Sequence, residues 1–349
     1  MKKFILINLI FSVSIFGQTN LKYAETIKKS ELEKHILILT SDSLEGRETG
    51  RPGQKKAANY IANHFEKIGI PPSVTTTNKY TKRKETSYFQ KFRVKSNRHL
   101  CKCDDCDVDF VRDLLGVKRW IEGENVLGYI EGSDLKEELI VITAHYDHLG
   151  KHDTLIFPGA DDNGSGTAAT LEIARAFMLA KKEGNGPRRS ILIMPVSGEE
   201  KGLLGSKYYT KKPIFPLENT VTNLNIDMIG RIDDWHKDGN YVYLIGSDML
   251  SQELHDISEE VNNKYTNLEL DYTFNQEDDP NRYYYRSDHY NFAKNKIPVI
   301  FYFNGGHEDY HKMTDTIEKI DFEKTKKITQ LIFLTAWDLA NRDERPKLN

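Results

Sequence analysis

The chain from residue 121 onward alternates between short apolar runs and amphipathic segments. "EELIVITAH" and "RSILIMPVS" are near-continuous apolar runs, a pattern typical of strands buried on both faces. "VTNLNIDMIG", "YVYLIGS" and "IPVIFYFNG" predict further strands. Between and after them, "GSGTAATLEIARAFMLAKK", "SQELHDISEEVNNKY" and "FEKTKKITQLIFLTAWDLAN" predict helices. This alternation predicts one α/β domain of layered construction, built on a largely parallel sheet that is covered on both faces.

The segment before residue 121 has a different pattern. Residues 30–72 show apolar positions at helical spacing in two stretches, with Gly69 as a stop signal. "SLEGRETGRPG" separates the two stretches and has turn chemistry. Residues 73–120 are polar and irregular, so we expect one or two strands and an exposed insertion at about 76–120.

The first seventeen residues, "MKKFILINLIFSVSIFG", combine two lysines, an apolar run and a small residue at the end. This layout is typical of a cleavable secretory signal, with a buried first helix or a membrane anchor as the alternatives. The apolar run is shorter than the roughly 20 residues of a spanning helix. We therefore expect a signal peptide at 1–17, a catalytic-size domain at 18–349, and a periplasmic or secreted protein without stable membrane insertion.

Charge and cysteine content narrow the class of protein further. The formal net charge is -3 and no basic stretch is dense, so a nucleic-acid partner is not expected. Cys101, Cys103 and Cys106 form an odd-numbered cluster. One disulfide with a free thiol, three thiols and a small metal clip all remain open, and a local staple in a surface insertion is the interpretation we favour.

Acids and histidines stand where several predicted strands end. "IVITAH" ends at His145, "MPVSGEE" at Glu199 and Glu200, and "NLNID" at Asp227. "GADDNGSG" precedes a helix and "GGHEDYHKMTDT" follows a strand. Each segment alone could be a solvated loop or a helix cap. Together they supply two imidazoles and three carboxylates, which suit two zinc ions that share one bridging carboxylate.

The ordered motifs "AHYDHLG", "PGADDNGSG", "SGEEKGLLGS", "NIDMIGR" and "YHKMTDT" resemble the M28 family of zinc peptidases, over roughly residues 35–340. The resemblance implies a three-layer αβα sandwich with a mixed, largely parallel sheet, and peptide substrates. It implies two Zn²⁺ ions and a cis peptide bond after the bridging acid. By this resemblance, Asp162 would be the bridging carboxylate and Glu199 the general base. His145 and Asp227 would be ligands of one zinc, and Glu200 and His311 would be ligands of the other.

The same resemblance implies supporting and substrate-binding residues. Asp147 matches the acid of an H-x-D pattern, whose carboxylate would accept the far N–H of His145. Tyr310 resembles a tyrosine that stabilises an oxyanion, with simple packing as the alternative. The "RSDH" segment is expected beside the substrate, where Arg286, Ser287, Asp288 and His289 would shape specificity and Asp288 would hold an ammonium group. His148 has the opposite strand parity and is interpreted as a packing or pocket-wall residue.

The resemblance to exported bacterial members of the family implies an aminopeptidase that removes N-terminal residues, and four other functions are alternatives to it. The related M20 carboxypeptidases insert a further domain before the last ligand, and the 84 residues from Asp227 to His311 leave no room for it. A glutaminyl cyclase and a carboxypeptidase on the same fold stay open. A binding module without chemistry is disfavoured, because all five ligand positions and the base are filled.

Overall fold

A computed structural model describes residues 20–77, 81–95 and 120–349. The expected signal peptide at 1–17 and the cluster of Cys101, Cys103 and Cys106 lie outside the described residues. Within the described ranges, no helix is both long enough and apolar enough to cross a membrane.

Seven helices and thirteen strands make up the regular structure of these described ranges. The helices are α1 Lys29–Leu39, α2 Pro52–Ile68, α3 Gly166–Lys182, α4 Leu204–Lys211, α5 Gln252–Val261, α6 His289–Ala293 and α7 Phe322–Asn341. The strands are β1 Val74–Thr77, β2 Lys84–Ser87, β3 Phe89–Lys95, β4 Trp120–Val126, β5 Gly128–Ile130, β6 Leu135–His145, β7 Gly150–His152, β8 Leu155–Phe157, β9 Arg189–Val196, β10 Thr220–Ile226, β11 Tyr241–Ile245, β12 Glu269–Asp271 and β13 Val299–Phe303.

The central sheet has seven strands in the order β12-β11-β13-β10-β6-β9-β5. The four central strands β13, β10, β6 and β9 run parallel, and β11 and β5 pair antiparallel at their flanks. The prediction of a mixed, largely parallel sheet is therefore confirmed. The carboxyl ends of the four central strands meet at one edge of the sheet, where ligands bind in open α/β folds.

Two apolar clusters sandwich this sheet. In β6 and β9, Ile140, Ile142, Ile191 and Ile193 belong to one cluster, which packs beneath α1, α2, α3 and α7. The alternate residues of the same strands belong to the second cluster, which α6 covers together with Tyr209 of α4. Because successive side chains of a strand point to opposite faces, apolar residues at every position are required for burial on both sides. The three-layer αβα architecture is thus confirmed.

The expected insertion at 76–120 is described only in part. Antiparallel pairs link β1 to β2 and β3 to β4, outside the central sheet. The described portion of residues 73–120 contains the three strands β1, β2 and β3, where the sequence predicted one or two.

The turn segment "SLEGRETGRPG" does more than connect α1 to α2. Arg47 is fully buried, and its guanidinium donates hydrogen bonds of 2.6–2.9 Å to the main-chain carbonyls of Leu39, Tyr146, Pro158 and Gly159. The Arg47 side chain therefore connects the end of α1 to the loop that follows β6 and to the loop that follows β8.

Candidate metal centre

The side chains predicted from five separate segments converge at this sheet edge. His145 is the last residue of β6, Asp227 directly follows β10, and Glu200 lies four residues beyond the end of β9. Asp162 lies in the segment Ala160–Ser165 that leads into α3. His311 comes from the loop between β13 and α7. Strand order thus brings together residues that are up to 166 positions apart in the chain.

Asp162 stands between two groups of ligand atoms. Its Oδ1 lies 3.3 Å from Nε2 of His145, and that nitrogen lies 3.1 Å from Oδ1 of Asp227. Its Oδ2 lies 3.1 Å from Nε2 of His311, which is 3.3 Å from Oε2 of Glu200. Each oxygen of one carboxylate therefore faces a separate pair of an imidazole and an acid.

The peptide bond Asp162–Asn163 is cis, as the sequence comparison with the family implied. The Asn163 side chain donates to the carbonyl of Ile226 at 2.8 Å and accepts from the main-chain N–H of Gly166 at 2.9 Å. A Cβ atom at Gly166 would lie 2.3 Å from that same amide oxygen, so only glycine fits at the start of α3. These contacts fix Asp162 against the end of β10.

The donor set fits zinc. His145, Asp162 and Asp227 form one group of candidate ligands, and His148, Asp162 and Glu200 form another. Within each group, the ligand atoms lie within 4.8 Å of one another. Nitrogen and oxygen donors without thiolate suit zinc and its first-row neighbours. Burial acts to raise the pKa of Asp162, but the imidazoles of His148, His145 and His311 outweigh it and hold that pKa well below its ordinary value. The carboxylate is therefore ionised and ready to bind a cation.

The interpretation of His148 as a packing or pocket-wall residue is wrong. Its Nδ1 lies 2.9 Å from Oε1 of Glu200 and 3.7 Å from Oδ2 of Asp162, and the side chain is fully buried. The parity argument assumed that the strand continues through His148, whereas β6 ends at His145. His148 thus belongs to the same cluster as His311.

Asp147 supports His145 through its main-chain carbonyl and not through the carboxylate that we expected to make this contact. The acceptor nearest to Nδ1 of His145 is the main-chain carbonyl of Asp147 at 3.0 Å, while the carboxylate lies 3.8 Å away. That carboxylate instead accepts from Thr49 Oγ1 at 2.7 Å and from the main-chain N–H of Glu199 at 3.3 Å. Asp147 therefore still fixes the tautomer of His145, and it also positions Glu199.

Glu199 and Glu200 have separate surroundings although they are adjacent in sequence. Glu200 faces His148 and His311, whereas Glu199 lines a cavity with His145, Asp162 and Asp227. Burial raises the pKa of Glu199 well above its ordinary value, and the carboxylates of Glu200 and Asp227 add to this while His145 opposes it. A raised pKa is what a carboxylate needs in order to accept a proton near neutral pH.

The cavity beside Glu199 encloses about 490 Å³, including the part that is open to solvent. Its remaining walls are aromatic, apolar or polar side chains and one glycine: Met228, Tyr283, Arg286, Ser287, Phe301, Phe303, Gly306 and Tyr310.

The residues expected at the substrate divide into two sets. Arg286, Ser287 and Tyr310 line the cavity, and the Tyr310 ring stacks on His311 with centroids 3.9 Å apart. Asp288 and His289 do not line it and are completely buried. Asp288 accepts a hydrogen bond from Ser206, and burial raises its pKa to about 7. In this structure Asp288 has no access to a substrate ammonium group, so that expectation is wrong.

Ser287 supports a candidate ligand as well as lining the cavity. Its hydroxyl donates to Oδ2 of Asp227 at 2.6 Å and accepts from the Asn225 side chain at 2.8 Å. Ser287 therefore fixes the orientation of Asp227 and leaves its Oδ1 facing His145.

Sequence reasoning missed three supporting residues. Thr49 and Arg47 lie in the "LEGRETG" segment, which was assigned turn chemistry alone. Asp315 lies in "YHKMTDT", and its carboxylate accepts from the main-chain N–H groups of Asp161 and Asp162 at 3.1 Å. The sequence signal that could have indicated these residues is an arginine or an aspartate in a turn segment, with no oppositely charged partner evident nearby in the sequence.

The comparisons with known proteins agree with this site. The model of peptidase family M28 matches residues 125–336, and the chain belongs to that family. A probable zinc metalloprotease of Pyrenophora tritici-repentis is 30% identical over 268 residues, which cover 64% of this chain and 53% of that protein. The aminopeptidase YwaD of Bacillus subtilis is 27% identical over 232 residues, covering 64% and 46%. The chain thus spans about half the length of the curated relatives that it matches.

The fold is shared with solved aminopeptidases. The LapA aminopeptidase of Legionella pneumophila superimposes with a TM-score of 0.67 at 20% identity, covering 94% of this chain and 75% of that one. At this identity the likeness establishes the fold, and the family membership rests on the sequence match.

Proposed function

We propose that this chain is an exported aminopeptidase that holds two zinc ions and removes residues from the amino end of peptides. The observation that carries the proposal is the position of Asp162, whose two oxygens lie 3.3 Å and 3.1 Å from the Nε2 atoms of His145 and His311. A carboxylate that serves two imidazole–acid pairs at once is the geometry that a bridging ligand of a two-metal site requires.

The ligand assignment follows from the two imidazole–acid pairs that face the oxygens of Asp162. His145 and Asp227 would hold one zinc, Glu200 and His311 the other, and Asp162 both. Bound zinc supplies Lewis-acid activation of a water molecule and of the scissile carbonyl.

The chain's own residues would carry the proton and the developing charge. Glu199 accepts a proton from the attacking water and passes it to the departing amine. Glu200 is committed to His148 and His311, so it cannot serve as the base. Tyr310 lines the same cavity, and burial raises its pKa above the ordinary phenol value. Its hydroxyl therefore stays protonated and can donate to an oxyanion.

The direction of cleavage rests on the relatives. YwaD and LapA are named aminopeptidases, and this chain has the fold of the second and resembles the first in sequence. A carboxypeptidase and a glutaminyl cyclase are the two other outcomes that an assay must distinguish.

Paired substitutions test the division of roles between the acids. We expect Asp162→Asn to lose bound zinc, because the bridging carboxylate is removed. Glu199→Gln should keep its zinc and lose about 10²–10⁴-fold in kcat on an aminoacyl anilide, the usual contribution of a general base. Zinc is counted by elemental analysis on the same preparations. Wild-type kcat in Glu199→Gln, or full zinc in Asp162→Asn, would refute the assignment.

Export is tested separately by cell fractionation. The proposal rests on the layout of residues 1–17, and the expected result is a mature chain in the periplasm or medium that begins near residue 18. A cytoplasmic chain that retains its first residues would contradict export and leave the catalytic proposal intact.

A further inference from the structure

The lining of the substrate cavity contains one permanently charged cation, and in the described part of the chain that cation forms no salt bridge. Among the described residues that line the cavity, Arg286 is the one with a permanent cationic group. Its neighbours in the wall are mostly aromatic or apolar: Met228, Tyr283, Phe301 and Phe303. An arginine in such a wall is positioned to select a charged group on the ligand.

Arg286 is held in place by an aromatic ring and not by an acid. Its guanidinium lies 4.9 Å from the centre of the Tyr283 ring. That ring packs in turn against Phe274 at 4.8 Å and Phe303 at 5.0 Å. In the part of the chain that the structure describes, no salt bridge involves Arg286, and the side chain is exposed. A guanidinium whose face is packed on a ring keeps N–H donors at its edges for a carboxylate.

The acids of the centre do not neutralise Arg286. Asp162, Asp227 and Glu200 each lie within hydrogen-bonding distance of an imidazole, and in the proposed function they bind two dications. The four charges of two zinc ions match these three carboxylates and Glu199. Arg286 is then left as an uncompensated cation at the cavity wall.

We infer that Arg286 binds a carboxylate of the peptide substrate, so that anionic peptides are the preferred substrate class. The inference rests on the proposed peptidase function and adds the chemistry of the substrate to it. The carboxylate has two possible sources: the side chain of an N-terminal Glu or Asp, or the terminal carboxylate of a short peptide. Both would meet the same bidentate donor.

Matched substrate pairs distinguish these sources. Glutamyl and glutaminyl p-nitroanilide differ only in a side-chain charge, and Leu-Gly and Leu-Gly-amide differ only in the terminal charge. We expect wild-type kcat/KM to favour the anionic member of one pair by about tenfold, the size of an ordinary charge-assisted hydrogen bond. The pair that shows the preference identifies the source.

The variants test whether Arg286 causes the preference. Arg286→Met keeps the length of the side chain, removes the charge and should bring the ratio to about one. Arg286→Lys should retain part of the ratio, because a lysine keeps the charge and loses the fork. The matched control is Arg282→Met, since Arg282 lies on the same loop and 4.9 Å from the Tyr285 ring but does not line the cavity. Its ratio should equal that of the wild type.

Two results would overturn the inference. A wild-type ratio near one in both pairs, with leucyl p-nitroanilide cleaved normally, removes the carboxylate preference and leaves the peptidase proposal standing. A preference that persists in Arg286→Met assigns it to another residue. Failure to cleave any of these substrates would instead refute the proposed function itself.

Discussion

At the scale of single residues, three members of the centre, His145, Asp227 and Asp162, are fixed by contacts from outside their own group. Nδ1 of His145 faces the carbonyl of Asp147, and Ser287 donates to Asp227. The Asp315 carboxylate accepts a hydrogen bond from the main-chain N–H of Asp162 and so holds the segment that contains Asp162. Such outer contacts orient ligands before a metal arrives, and their loss usually weakens metal binding.

His148 offers a test of this role. Removing its contact with Glu200 in His148→Ala should lower zinc affinity by about 10–100-fold, the usual effect of losing an outer contact or a ligand. Zinc retained against graded chelator concentrations measures the change. His255→Ala is the control, because His255 lies on α5 and contacts Ser247, away from the acids. Equal zinc retention in both variants would show that His148 has no role at the metal.

His289 predicts a pH dependence of stability. Burial lowers the pKa of His289 to about 3, whereas an unfolded histidine titrates near 6.5. Below pH 6.5 the unfolded chain therefore binds a proton that the folded chain refuses, and stability is lost progressively down to about pH 3. In metal-free protein, the fall in unfolding free energy from pH 7 to pH 5 should be about 2 kcal/mol smaller in His289→Phe.

Denaturant unfolding at both pH values measures this difference. Between pH 7 and pH 9 the wild type and His289→Phe should change in parallel, which serves as the control. If the unfolding free energies of the wild type and His289→Phe also change in parallel between pH 7 and pH 5, the buried, neutral state of His289 is contradicted.

The residues whose contacts agree with the sequence prediction and those whose contacts differ from it are distinguished by their position relative to the strand ends. His145 and Asp227 stand at or directly after the end of a buried strand, where the direction of the side chain follows from the strand. Asp147 and His148 lie beyond the end of β6, where the chain turns and strand parity no longer applies. Their contacts depend on loop geometry that a sequence pattern does not encode.

At the scale of elements, Arg47 joins three chain segments that have no regular pairing with one another. Its four acceptors are buried carbonyls at the end of α1 and in the loops after β6 and β8. Burial lowers the pKa of Arg47 to about 10, so the guanidinium stays charged at neutral pH. The loops that lead to Asp162 and from His145 therefore depend on one side chain.

Arg47→Ala should lower the free energy of unfolding by about 4 kcal/mol or more, because several buried carbonyls would lose their donor. Urea unfolding measures the change. Arg51→Ala is the matched control: that side chain is 55% exposed and lies 3.5 Å from Glu48, so its loss should cost about 0.5 kcal/mol or less. Equal effects of the two substitutions would refute the role of Arg47.

Buried strands were the elements easiest to predict, and the turn segment was the hardest. β9 and the part of β6 from Leu139 onward are buried at every position and mostly apolar because both faces of the sheet are covered, and that leaves a strong sequence signal. "SLEGRETGRPG" carries only turn residues and charges. Nothing in its pattern indicates that Arg47 enters the core, because its partners are main-chain carbonyls, which have no sequence signature.

At the scale of the whole molecule, the site exists because of the spatial order of strands. β9, β6, β10 and β13 are neighbours in the sheet, although each of the three steps skips other strands in the chain. Their carboxyl ends place His145, Glu199, Glu200 and Asp227 together. The sequence could predict the α/β class and the polar strand ends, but the strand order was available only through the family resemblance.

Family membership, the fold and the clustered candidate ligands support peptide hydrolysis, whereas the proposed direction of cleavage, from the amino end, rests on the relatives. The most direct test is a time course of one unblocked ten-residue peptide with the purified protein, read by mass spectrometry, with and without a zinc chelator. We predict a ladder of products that lose successive residues from the amino end, abolished by chelator and restored by added zinc. Loss of residues from the carboxyl end, a pyroglutamate product without cleavage, or trimming that persists in chelator would contradict the account.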